Sequence, residues 1–93
     1  YEMVPLHAMT EKAKEMIESF EASGDATGPM VQPLLNSLDQ VQHHWNKGSV
    51  KQAMKHMERF VNHLNNPTLE SFMAEQARDA LNVLANKAMN DHF

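Results

Sequence analysis

The links between the apolar segments of this chain are too short to let it fold as anything but a stack of neighbouring helices. Only Lys47-Gly48-Ser49 separates the segment ending near Trp45 from the one beginning at Val50, and Asn65-Asn66-Pro67 separates Leu64 from the next apolar segment. Links of two or three residues force consecutive helices to lie antiparallel and side by side. The segments carry the helical period: apolar residues recur at spacings of three and four, and no stretch shows sustained strand alternation.

Four such segments are expected. The first covers about 6–22, with Leu6, Met9, Ala13, Met16, Ile17 and Phe20 on one face, and stops at the Ser23 to Gly28 turn. The second, about 29–47, starts at Pro29, where a missing N–H costs nothing, and buries Val31, Leu34, Leu38, Val41 and Trp45. Gly48 after Lys47 suits a left-handed helix end. The third, about 49–65, opens on Ser49 with Gln52 at capping-box spacing and buries Val50, Ala53, Met57, Phe60 and Leu64, flanked by Met54 and Val61. The fourth, about 67–90, uses Leu69, Phe72, Met73, Ala77, Ala80, Leu81, Leu84 and Ala88, its alanines allowing close helix approach. The expected fold is all-α: an up-and-down bundle of three to four helices, the first either completing a four-helix bundle or lying across a three-helix core.

One domain of 93 residues has a thin core, which disfavours a deep catalytic cleft. Residues 6–93 are read as that domain and 1–5 as the remnant of a linker. The net charge of −4 supplies no basic face for nucleic acid or anionic membrane. No apolar run is long enough to span a bilayer. The absence of cysteine removes disulfides and thiolate chemistry and leaves the compartment open.

Candidate chemistry centres on the six histidines. His56 and His63 lie two turns apart on the third helix with Arg59 between them and Gln52 one turn before. Two turns, about 10.5 Å, is too far for one metal ion to bind both. His43 and His44 point about 100° apart on the second helix, so no metal or cofactor is expected. The stripe Gln52, His56, Arg59, His63, with His44 nearby, combines donors and acceptors in a way that suits a sugar or a polar protein surface. The plainer alternative is a solvated flank of the bundle. Trp45 continues a buried stripe and reads as a core or rim anchor, and the eight methionines as core filler. Asp25 with Ser23 and Thr27 offers too few carboxylates for calcium. The serines lack a nucleophile context, and Glu11, Glu15 and Glu18 lie on an outer face. No enzymatic activity is expected of the domain itself.

The pieces Ser23-Gly24-Asp25, Gly28-Pro29, Leu34-x-Asn36-Ser37-Leu38, Gln42-His43, Lys47-Gly48-Ser49, Gln52-Ala53-x-Lys55-His56-Met57 and Phe60-x-x-His63-Leu64-Asn65-Asn66-Pro67 occur in order. Together they resemble the FIMAH-type helical domain, over most of 23–86. That resemblance implies a non-catalytic module of exported, multidomain proteins of Bacillus-like bacteria, whose hosts include peptidases and polysaccharide-degrading hydrolases and lyases. It carries over no catalytic or binding residues. The expected role is therefore an extracellular accessory domain acting as spacer or as recognition and attachment module. Its expected partners are neighbouring domains of the parent chain and a polysaccharide or cell-surface component. Two alternatives stand beside it: a carbohydrate-binding module using the histidine stripe, and a dimerisation bundle using the fourth helix.

Overall fold

A computed structural model describes residues 5–93. Helices α1 (Leu6–Ser23), α2 (Gly28–Asn46), α3 (Val50–Leu64) and α4 (Glu75–His92) are joined by two short links and one 3-10 helix, Pro67–Phe72. Each helix packs on the next in sequence, most extensively α2 on α3, and α4 closes the ring against α1. The first helix thus completes a four-helix bundle. Residues 1–4 of the expected linker lie outside the described residues. Pro5 caps α1 instead, its carbonyl accepting the Met9 N–H at 3.2 Å.

The buried faces follow the sequence periods closely. Leu6, Met9, Ala13 and Ile17 of α1, Val31, Leu34, Leu38 and Val41 of α2, and Ala53, Met57, Phe60 and Leu64 of α3 form one core with Met73, Ala77, Leu81, Ala85 and Ala88. Three of the alanines of α4, Ala77, Ala85 and Ala88, are therefore covered by the chain's own helices, and Ala80 is half-buried. The core leaves a gap of only about 10 Å³ among residues that include Met9, Leu38, Phe60 and Leu81, about one water in size. Thr10 is the buried polar residue of this core. Its hydroxyl lies 2.9 Å from both the His7 carbonyl and Gln42 Oε1, tying α1 to α2. On the surface Lys14 of α1 adds an ion pair with Asp39 of α2.

The α2–α3 link shows how a three-residue connection reverses the chain. Gly48, at φ 80°, donates its N–H to the Trp45 carbonyl at 3.0 Å, and Ser49 donates to the His44 carbonyl at 2.8 Å. This is the Schellman pattern, which satisfies two orphan carbonyls of α2 and needs a left-handed residue between them. A Cβ at Gly48 would meet nothing within 4 Å, so the cost of Gly48→Ala is purely conformational. Chemical denaturation should show a loss of about 1 kcal/mol. The expected capping box fails: Ser49 makes no side-chain cap bond, because the turn holds its backbone at φ −86° and ψ 70° and only its carbonyl serves α3. Val50, expected inside, is 45% exposed, since it stands at the very start of α3 beyond the reach of the core.

The largest departure is the fourth segment, expected to be one helix over 67–90. Pro67–Phe72 is a 3-10 helix capped by Asn66, whose Oδ1 accepts from Thr68 N at 3.0 Å. Met73 and Ala74 are then extended. Their stretch pairs with the turn after α1: Thr27 N–H donates to the Phe72 carbonyl at 2.9 Å, and Ala74 N–H to the Asp25 carbonyl at 2.7 Å. These long-range backbone bonds satisfy groups that a continuous helix would have paired locally.

Arg78 locks this corner. Its Nε donates to the Leu64 carbonyl at 3.2 Å, and its Nη2 donates to the carbonyls of Glu70 at 2.9 Å and Met73 at 3.2 Å. One side chain of α4 thereby satisfies the end of α3, the 3-10 helix and the extended pair. Asn65 and Asn82 add a reciprocal amide pair, both bonds 2.8 Å.

Candidate functional site

The tight turn at Gly48 sets the register of α2 against α3, and that register brings His44 onto His56. Their rings stack with centroids 5.0 Å apart and planes within 7°. His43 meets His44 edge-on at 5.3 Å and 70°. Three imidazoles thus run in contact across the helix pair. The sequence placed His44 merely near the stripe; the structure makes it the direct partner of His56.

Arg59 and Gln52 are exposed along the same side of α3, while His44 and His56 are half-buried between the helices. His63 is half-buried as well but differs at one atom. Its Nε2 is buried and has no hydrogen-bond partner among the described residues. That nitrogen faces protein rather than solvent, so His63 cannot present it to a surface ligand. The working face is Gln52, His44, His56 and Arg59, with His63 as its closed end.

Burial, then the positive charge of Arg59, then that of His44 when protonated, hold the His56 pKa below its ordinary 6.5. All three favour the neutral ring. A neutral imidazole keeps one donor and one acceptor nitrogen, so at neutral pH the face combines both functions with the Arg59 donors and the Gln52 amide. Such a set matches hydroxyl groups, which also donate and accept. The lowered value sets the sign of the linkage. The unfolded chain binds the His56 proton more readily, so stability is unaffected above pH 6.5 and falls as pH drops from there through the lowered folded value. Denaturation midpoints measured across that range should fall less steeply for His56→Gln than for the parent.

Parallel stacked rings aim their nitrogens past one another rather than at a common point. Among the described residues no group of three or more His, Asp or Glu side chains is placed to hold a metal ion. No described helix is long and apolar enough to cross a membrane. Trp45 sits at the rim, edge-on to His92 at 5.7 Å and Phe93 at 5.6 Å, and so pins the end of α4 rather than offering an open platform. Asp25 accepts from the Ser23 hydroxyl at 3.0 Å, an ordinary turn contact.

Sequence alone gave no role to Arg78 or Glu70, and to Asn65 and Asn66 only that of a helix end. Arg78 is one of only two arginines in the chain and falls one position from the buried stripe Ala77, Leu81. An arginine at that border commonly extends along the core to reach backbone carbonyls, and that was the available signal.

The architecture defines a small four-helix module whose α2–α3 pair carries a polar, imidazole-rich face. The profile of the FIMAH domain matches residues 10–90, and the chain belongs to the FIMAH domain family. The match begins inside α1 and so takes in most of the first helix, which lies before the 23–86 stretch that carries the sequence resemblance. No curated protein matches the chain.

Proposed function

We propose that this FIMAH domain is a non-catalytic accessory module of a larger secreted bacterial enzyme, a polysaccharide-degrading hydrolase or lyase or a peptidase. Within that setting it acts as a recognition and attachment domain for a polysaccharide or cell-surface component. The observation that carries the recognition role is the stacked His44–His56 pair, flanked by exposed Arg59 and Gln52. Imidazoles stacked between two helices are oriented before any ligand arrives, which lowers the entropy lost on binding. The extracellular, multidomain setting is supported by the resemblance of the ordered motifs from Ser23 to Pro67. The spacer role needs no such face, and the dimer role would need an uncovered alanine surface on α4.

Affinity electrophoresis against plant, animal and bacterial cell-wall polysaccharides tests the proposal. At least one glycan should retard the domain, and His56→Ala or Arg59→Ala should each weaken that retardation at least about tenfold, as the loss of one well-made hydrogen bond in a site does. Uniform migration across the whole panel, with a folded and monomeric sample, would leave the spacer role in its place.

A further inference from the structure

We infer that the notch at the C-terminal end of α3 is a second binding site, one that takes the carboxylate of an acidic sugar residue. The notch holds about 250 Å³ between Asn65, Asn66, Pro67, Glu70 and Arg78. Pockets for drug-sized ligands start at about 300 Å³, so this one has room for a single ring. It is distinct from the histidine face. Asn65 lies nine residues beyond His56, which is about 13.5 Å along the axis and half a turn out of phase.

Arg78 is the centre of the site. Its three bonds to the carbonyls of Leu64, Glu70 and Met73 use Nε and both hydrogens of Nη2, and they fix the plane of the guanidinium. Nη1 keeps two N–H donors without a partner among the described residues, and Arg78 makes no ion pair with any of them. A half-buried cation is therefore held rigid with its two Nη1 donors left over, and since each forked edge has already spent an Nη2 hydrogen, a carboxylate oxygen is met by a single charge-assisted N–H.

The remaining lining decides what the carboxylate is attached to. Asn66 spends its Oδ1 on Thr68, accepting from its N–H and hydroxyl, which leaves the Nδ2 donors available. Both ends of the Asn65 amide are taken by Asn82 and the Val61 carbonyl, so Asn65 is a wall. The Glu70 carboxylate, exposed and without an ion pair among the described residues, repels every anion, a doubly charged phosphate more strongly than a singly charged carboxylate, and accepts from hydroxyls. Pro67 contributes an apolar ring against which sugar C–H groups pack. One negative charge, adjacent hydroxyls and an apolar ring face together describe a uronate.

The test is a ¹H–¹⁵N titration of the intact chain with methyl glucuronide, read at the Arg78 Nε and Asn66 Nδ2 signals. Methyl glucoside and N-acetylglycine serve as probes that lack the carboxylate and the sugar respectively. The expected result is binding of the glucuronide at least about tenfold tighter than either, as loss of a charge-assisted hydrogen bond implies. Asn66→Asp keeps the Oδ1 cap on Thr68 while replacing the free donor with a negative charge. It should fold with an unchanged melting temperature and bind the glucuronide at least about tenfold more weakly. Equal affinity for glucoside and glucuronide, parent-like binding by Asn66→Asp, or shifts confined to His44 and His56 would overturn the assignment. Equal affinity for N-acetylglycine would overturn the sugar.

Discussion

Replacing Arg78 with methionine is expected to lower the unfolding free energy by about 2–4 kcal/mol. The side chain donates to three carbonyls in three separate segments, at Leu64, Glu70 and Met73. Each charge-assisted bond contributes about 1.5–3 kcal/mol. The Glu70 bond is exposed and bonds sharing one side chain do not add, so the total falls short of the sum. Methionine keeps the packing of the stem and removes only the donors. Lysine should not restore stability, since one ammonium cannot reach three carbonyls with the geometry of a planar fork. Urea unfolding reads the loss. Amide exchange adds a local signature: the protons of Thr27 and Ala74, which pair this corner to the turn after α1, should exchange faster.

Phe60→Ala is expected to cost still more, about 3–5 kcal/mol. The ring is 1% exposed and lies where α3 faces α1, α2 and α4. It already borders the small gap shared with Met9, Leu38 and Leu81. Removing the ring enlarges that gap among residues on four separate helices, and helices fixed by short links cannot close in on it. The cost of a truncation rises with the cavity left behind. A domain of this size has only about 5–15 kcal/mol in total, so the variant should be partly unfolded at physiological temperature. The urea midpoint should fall with an unchanged slope, which marks lost stability without altered compactness.

Helices α1 to α3 were legible in the sequence because their stability comes from local periodicity meeting one core. Leu34, Leu38 and Val41, or Met57, Phe60 and Leu64, could be assigned to a buried face without knowing what lay opposite. The break at Met73–Ala74 was not legible. Leu69, Phe72 and Met73 fit a helical period, and the groups that compete for their backbone, Asp25 and Thr27, are more than 40 residues away in the chain. The capping box at Ser49 failed for a similar reason. A local motif assigns side-chain bonds, but the Gly48 turn had already set the backbone there.

The same division runs through the candidate site. Gln52, His56 and Arg59 share a side of α3 by spacing alone, and the structure keeps them there. The stack of His44 on His56 depends on the register between two helices, which the link length constrains only to neighbours. The enclosure of His63 Nε2 depends on packing that spacing does not describe. Arg78 was missed because its partners are carbonyls, which every residue carries and no sequence pattern distinguishes.

The recognition role rests on the histidine face, and the most direct measurement tracks the imidazole signals of His44 and His56 by NMR while the domain is titrated with the glycan that retards it most. A recognition role predicts saturable shifts at both rings and at the Arg59 side chain, with the far side of α1 silent. Saturable binding that leaves all three unmoved would contradict it and place recognition elsewhere on the bundle.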